Sequence, residues 1–199
     1  AGLERFDLDA VRGWIGDGPD VLIARALAAQ GLGDADDELR ARLRRWFDVD
    51  TLAAPLAHGV VYPGILDLVS GLHRVMPMVV VTNKPTPLAR AVLDAAGVLP
   101  FVDAVFGADT AALRKPAPGM LLAAAQQLAI APEQLLMVGD SAPDMQSAHA
   151  AGCRAVLVPW GYGHHTLPNW LDPLRVSGPD ELLQVLLATR GAAEPLFNS

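Results

Sequence analysis

Residues 78–85 read Met-Val-Val-Val-Thr-Asn-Lys-Pro, and this stretch decides the fold class. A short, continuous run of valines bounded by polar residues predicts a strand that is buried on both faces, as in a parallel sheet. Ligands of parallel α/β sheets bind beyond the carboxyl ends of the strands. Thr82 and Asn83, which end the run, are therefore the first candidate site residues.

The chain around this stretch alternates between strand and helix patterns from residue 62 onward. Further strands are predicted near residues 104–107, 135–138 and 154–158. Helices are predicted between them, near residues 65–72, 87–97, 118–128, 143–152 and 179–187. Such alternation predicts an α/β fold in which helices cover both faces of a parallel sheet.

Residues 10–60 contain helical patterns only. The run Asp17-Gly18-Pro19-Asp20 predicts a helix start, because proline is tolerated in the first turn, and this helix extends to about Gly31. A second helix is predicted from about Asp36 to Phe47, with its apolar residues on one face. This region therefore lacks the strand patterns that characterise the rest of the chain.

The composition favours a protein that acts on small molecules. The chain has 199 residues and a net charge of −7, which disfavours nucleic acid and anionic membranes as partners. Its single cysteine, Cys153, excludes a disulfide framework. The sequence contains no run of about 18 apolar residues, the length that a membrane-spanning helix needs. We expect a cytoplasmic protein, and the oligomeric state is left open.

Polar residues follow three of the predicted strands at one edge of the sheet. Lys115 follows the second strand through a loop, and Asp140 and Asp144 follow the third. Carboxylates suit Mg²⁺, which proteins hold with one or two acidic groups together with substrate phosphate. A lysine and a hydroxyl such as that of Thr82 can bind phosphoryl oxygens. Each residue alone could instead end a strand, occupy a loop or cap a helix, but together they favour a phosphate site.

Three motifs at these strand ends resemble those of the haloacid dehalogenase superfamily of phosphatases. Thr82-Asn83 resembles motif II, Lys115-Pro116 resembles motif III, and Gly139-Asp140-Ser141-Ala142-Pro143-Asp144 resembles motif IV. Within the superfamily, the chain is similar to phosphoglycolate phosphatases at residues 11–18, 62–64, 81–85 and 160–163. The resemblance extends over about residues 11–190.

The resemblance implies a Rossmann-like core with a small α-helical cap. Residues 1–60 would form the cap, incomplete at its N-terminal side, and residues 61–190 would form the core. Residues 191–199 would be a tail.

The resemblance also implies Mg²⁺-dependent hydrolysis of a small phosphorylated metabolite, a phosphomonoester, through an aspartyl-phosphate intermediate. Thr82 and Lys115 would be catalytic residues, and these two together with Asn83 would bind the substrate. Asp140 and Asp144 would hold Mg²⁺, or Asp144 would orient a bound water.

The nucleophile motif of this family, D-x-D-G-T at the end of a first strand, has no convincing counterpart. Phe6-Asp7-Leu8-Asp9 matches two of its positions, but the residues before it are too few and too charged for a buried strand, and no Gly-Thr follows. We interpret Asp7 or Asp9 as a helix start and expect a segment before Ala1 to supply the nucleophile. In the family, the first strand lies between the strands that carry motifs II and IV, which would otherwise face an open slot.

Three alternatives stay open. Asp7 could be the nucleophile, with Asp9 as general acid and base. The chain could be a haloacid dehalogenase, which lacks the second aspartate of motif I and needs no Mg²⁺, or an inactive relative that acts as a binding protein. The spacing of Asp140 and Asp144 favours the phosphatase.

Overall fold

Within the residues that it describes, the structure contains five short strands, eight α-helices and three short 3-10 helices. A computed structural model describes residues 5–57, 59–163 and 167–191. The strands are β1 (Val79–Thr82), β2 (Ala104–Gly107), β3 (Leu136–Gly139), β4 (Arg154–Leu157) and β5 (Leu174–Arg175). The helices are α1 (Leu8–Arg12), α2 (Pro19–Ala29), α3 (Asp37–Ala53), α4 (Ile65–Leu72), α5 (Thr86–Ala95), α6 (Gly119–Gln127), α7 (Ala142–Ala151) and α8 (Pro179–Gly191). Of the predicted tail, only Gly191 lies within the described residues, and there it ends α8.

All strand pairs are parallel, as the sequence predicts. β1 pairs with β2, with Val79 opposite Ala104, and β3 pairs with β4, with Leu136 opposite Arg154. The described strands form two parallel sheets, β1-β2 and β3-β4-β5. The resemblance places a further strand between β1 and β3, and within the described ranges no strand lies there to pair with either.

Helices cover both faces of the strands, because successive side chains on a strand point to opposite sides. On one side, α4 and α8 pack against β4 in a cluster that includes Leu68 and Val156. On the other side, α6 and α7 pack against β3 in a cluster that includes Leu121 and Met137. Val81 of β1 packs against this second cluster, so both sheets contribute to one hydrophobic core.

The N-terminal helices α1–α3 form a separate layer without strands. α2 begins at Pro19, as predicted. α3 continues to Ala53, and the prediction that it ends near Phe47 is wrong, because neither glycine nor proline interrupts the chain before Pro55. α3 packs against α2 and also against α5, which places this layer over the carboxyl end of β1.

Two other differences concern short or terminal elements. α8 runs four residues beyond the predicted end near residue 187, again because no helix breaker intervenes. β5 is only two residues long, too short to show a strand pattern in the sequence.

Within the described ranges, none of the helices has both the length and the hydrophobicity needed to cross a bilayer.

The N-terminus of α3 provides a test of the helical layer. The side chain of Asp36 caps this helix by accepting the N–H of Leu39 at 2.8 Å. We expect Asp36→Ala to lower the free energy of unfolding by about 1 kcal/mol, the usual cost of a lost N-cap, in urea denaturation. Asp37→Ala, which removes a neighbouring exposed carboxylate without the cap, is the control. Equal urea midpoints for the two variants would contradict this role of Asp36.

Candidate active site

The five predicted site residues line one cavity of about 390 Å³ between the N-terminal helices and the strands. These residues are Thr82, Asn83, Lys115, Asp140 and Asp144. The opposite wall comes from the loop before α2 and from Phe47 of α3. The prediction that these side chains converge is therefore confirmed, although they come from three separate parts of the chain.

A buried ion pair between Lys115 and Asp144 lies at the centre of this arrangement. The Lys115 Nζ lies 2.6 Å from Asp144 Oδ1, and both side chains are more than nine-tenths buried. The same ammonium donates to the carbonyl oxygen of Val81 at 2.8 Å. Lys115 thus connects the end of β1 to the start of α7, and so joins the two sheets at the cavity.

Asp144 also caps α7. Its Oδ2 accepts the N–H groups of Asp140 and Ser141 at 3.2 and 3.1 Å and the Ser141 hydroxyl at 2.5 Å. Gly139 makes room for this carboxylate, since a Cβ at that position would lie 2.5 Å from the Cβ of Asp144. Both oxygens of Asp144 are therefore engaged within the protein.

Asn83 holds the Lys115 loop in place. Its Oδ1 accepts the N–H of Lys115 at 2.7 Å, and its Nδ2 donates to the carbonyl oxygens of Lys115 and Gly16 at 3.2 and 3.0 Å. The amide has one acceptor and two donors, and this arrangement uses all of them. The geometry gives Asn83 a positioning role, which differs from the predicted role as a substrate ligand.

Among the described residues, no hydrogen bond uses the hydroxyl proton of Thr82. Its Oγ1 accepts the N–H of Lys84 at 3.2 Å, which leaves the hydroxyl proton available to a ligand. Lys115 has a similar reserve, because an ammonium has three donors and two of them reach Val81 and Asp144. The cavity therefore offers two donors to an anionic oxygen.

Asp140 lies against the loop of residues 161–163. Its Oδ2 accepts the N–H of Tyr162 at 2.7 Å and that of Gly163 at 3.4 Å. Gly161 permits this approach, because a Cβ there would fall 2.0 Å from Asp140 Oδ2. The other carboxylate oxygen, Oδ1, receives no hydrogen bond from the described residues.

The donor set fits Mg²⁺ through Asp140. Mg²⁺ prefers carboxylate oxygens and keeps several waters, so one or two carboxylates suffice to bind it. Asp140 Oδ1 receives no hydrogen bond from the described residues, whereas both oxygens of Asp144 accept hydrogen bonds, Oδ1 from Lys115 and Oδ2 from Asp140 and Ser141. Within the described ranges, no three His, Cys, Asp or Glu side chains cluster to form a metal site by themselves.

Asp7 and Asp9 do not reach this cavity. Asp7 is the N-cap of α1 and accepts the N–H of Asp9 at 3.4 Å, as the helix-start interpretation predicts. Asp9 pairs with Arg12 at 2.7 Å on the exposed surface. The geometry therefore does not support the alternative in which these two carboxylates act as nucleophile and general acid.

Sequence reasoning missed Lys84 and Phe47, which also line the cavity. Lys84 stands directly after the predicted Asn83, and it is one of only two lysines in the chain, the other being Lys115. This scarcity was a signal that could have identified it. Burial lowers the pKa of Lys84, and the negative charge of Asp48 partly opposes this effect.

The N-terminal helices are tied to the cavity region by an ion network. Asp20 of α2 pairs with Arg44 of α3 at 2.6 Å and with Arg114 at 3.4 Å. Arg114 directly precedes Lys115 in the chain. Arg44 also pairs with Asp48 within α3 at 2.8 Å, and the Asp20–Arg114 pair links α2 to the loop that carries the buried lysine.

The buried pair generates the first prediction for the site. Lys115→Met should lower the free energy of unfolding by about 3–5 kcal/mol, because it leaves the carboxylate of Asp144 buried without its partner. The double variant Lys115→Met/Asp144→Asn should lose less than the sum of the two single variants in urea denaturation. Additive losses would show that the two side chains do not stabilise each other.

The close approach of Gly161 to Asp140 generates the second prediction for the site. Gly161→Ala should move the 161–163 loop away from Asp140 and lower the melting temperature, because its Cβ would overlap the carboxylate. Gly178→Ala is a matched control, since nothing lies within 4 Å of a Cβ at that position. Equal melting temperatures in thermal denaturation would argue against the contact between this loop and Asp140.

The sequence is similar to a known family and to curated proteins within it. A family model described as haloacid dehalogenase-like hydrolase matches residues 4–152. The phosphoglycolate phosphatase of Rhodospirillum rubrum is 43% identical over 172 residues, which cover 84% of this chain and 71% of that protein.

Solved structures share the fold. A predicted phosphoglycolate phosphatase from Haemophilus somnus aligns with a TM-score of 0.84 at 25% identity, over 93% of this chain and 84% of that one. CbbY from Rhodobacter sphaeroides, in complex with phosphate, aligns with a TM-score of 0.75 at 26% identity, over 91% and 83%. These findings confirm the resemblance that motifs II, III and IV indicate. The chain belongs to the haloacid dehalogenase-like hydrolases.

Proposed function

We propose that the chain is a Mg²⁺-dependent phosphomonoester hydrolase that acts on a small phosphorylated metabolite such as 2-phosphoglycolate. The observation that carries this proposal is the convergence of Thr82, Lys115, Asp140 and Asp144 on one cavity. The names of its relatives, phosphoglycolate phosphatases in several bacteria, support the substrate. The N-terminal helices would act as the cap over this site.

The phosphoryl group would bind between the hydroxyl of Thr82 and the third donor of Lys115. Both donors are fixed before the substrate arrives, because Thr82 accepts from the Lys84 N–H and Lys115 is held by Val81 and Asp144. Fixed donors stabilise developing negative charge without the cost of reorganisation. Asn83 contributes indirectly by holding the main chain of Lys115.

Mg²⁺ would be held by Asp140 and would supply positive charge next to the phosphoryl oxygens. The 161–163 loop keeps the Asp140 carboxylate oriented by donating to its Oδ2, so that Oδ1 can face the ligand. Asp144 holds the ammonium of Lys115 in place at the cavity through the buried ion pair.

The chemical route proposed is the aspartyl-phosphate route of the family. A carboxylate oxygen attacks phosphorus, the bond from phosphorus to the ester oxygen breaks, and the leaving alcohol takes a proton from a general acid. Water then cleaves the acyl phosphate, which releases inorganic phosphate and restores the carboxylate. We assign the attack to neither Asp140 nor Asp144, because the first faces the metal position and the second is bound to Lys115.

Release of inorganic phosphate from 2-phosphoglycolate by the full-length protein tests this proposal. We expect activity that requires Mg²⁺, is abolished by EDTA and is restored by added Mg²⁺. Asp140→Asn should reduce kcat/KM by about 10²–10³-fold, the usual cost of removing one preorganised electrostatic group. Asp94→Asn, which changes an exposed carboxylate on α5, should have little effect.

Three outcomes would contradict the proposal. Metal-independent hydrolysis, or full activity in Asp140→Asn, would remove the assigned role of Asp140. Release of chloride from 2-chloroacetate without phosphatase activity would indicate the dehalogenase. Binding of phosphate esters without any turnover would indicate a binding protein.

A further inference from the structure

We propose that Lys84 recognises a carboxylate on the organic part of the substrate and so selects phosphorylated carboxylic acids over uncharged phosphate esters. This inference rests on the proposed function, because it takes the phosphoryl group to lie at Thr82 and Lys115. It assigns the second anionic group of the substrate to a residue that the phosphate chemistry does not use.

Both lysines of the chain line this one cavity, but their surroundings differ. Lys115 is buried and bonded to Asp144 and to Val81. Among the described residues, the ammonium of Lys84 has neither an ion pair nor a hydrogen bond. It faces the ring of Phe47, whose centroid lies 5.8 Å from Nζ.

This environment leaves a positive charge without an anionic partner. Lys84 is partly buried, and this burial lowers its pKa because it penalises the charged form. The nearby carboxylate of Asp48 contributes attraction at a distance, but it is bonded to Arg44 at 2.8 Å. An anion that entered the cavity would restore the interaction that Lys84 lost on burial.

The position of Lys84 relative to the phosphate site fits a short substrate. Its main-chain N–H donates to Thr82 Oγ1, so the two residues lie side by side at the end of β1. A cavity of about 390 Å³ is at the small end of the range for ligand pockets. Phe47 closes the cavity above Lys84 from α3, which favours a compact group such as a carboxylate at this point.

The charges that line the cavity also favour a carboxylate at Lys84. Lys115 and Asp144 neutralise each other, and the phosphoryl group would face Mg²⁺ at Asp140. Lys84 is then the one remaining cation among the described residues that line this cavity. A single ammonium matches the single charge of a carboxylate better than the double charge of a second phosphate.

The experiment compares two non-hydrolysable probes that differ only in this charge. These probes are 3-phosphonopropionate, which carries a carboxylate, and its amide, 3-phosphonopropionamide. Isothermal titration calorimetry with the full chain and Mg²⁺ should show that the carboxylate binds at least about tenfold more tightly, as expected for a hydrogen bond between charged groups. Lys84→Met should remove this preference and leave the affinity for the amide unchanged.

Two further variants act as controls. Lys84→Arg retains the positive charge and should retain the preference for the carboxylate. Arg90→Met removes one positive charge from the exposed side of α5 and should leave both affinities unchanged, which separates a local contact from a general charge effect.

Several results would overturn the inference. Equal binding of the two probes by the unaltered chain would show that no carboxylate is recognised, and equal weakening of both probes in Lys84→Met would show a structural role for Lys84. Tighter binding of ethane-1,2-diphosphonate than of 3-phosphonopropionate would point to a bisphosphate instead. Loss of binding of both probes and of inorganic phosphate would refute the phosphate site itself, and with it the proposed function.

Discussion

The buried contact between Lys115 and Asp144 is the interaction on which the rest of the site depends. Two opposite charges that are removed from water are stable only when each has a partner and further hydrogen bonds. Val81 supplies one such bond to the ammonium, and Ser141 supplies others to the carboxylate. The same contacts fix the end of β1, the loop before α6 and the first turn of α7 relative to one another.

Small residues around this pair allow the backbone to come close enough. Gly139 leaves space for Asp144, and Gly161 leaves space for Asp140. A side chain at either position would push a carboxylate away from the strand ends. The arrangement of charges is therefore determined as much by missing Cβ atoms as by the charged residues themselves.

The sequence predicts the part of this site that depends on local pattern. The valines of β1 predict a buried strand, and Asp140 and Ser141 directly follow β3. Polar residues at the ends of these strands meet because the strands are parallel. The role of Asn83 could not be predicted in this way. It depends on partners 32 and 67 residues away, Lys115 and Gly16, which only the folded chain brings together.

Other differences have equally physical causes. α3 extends beyond the predicted end near Phe47 because an amphipathic pattern identifies the buried face of a helix and not its last residue. The first residue after Phe47 that disfavours a helix is Pro55. The position of Lys84 in the cavity could not be identified from the sequence because it depends on Phe47, which belongs to a helix distant in the chain.

The network of Asp20, Arg44 and Arg114 has a consequence for the closure of the site. Its carboxylate is more than half exposed, in contrast to the buried pair beside it, so dissolved ions can screen it. Raised ionic strength should therefore loosen the attachment of α2 and α3 to the Arg114 loop while leaving the Lys115 contact intact. Access to the cavity would then respond to salt, whereas its internal chemistry would not.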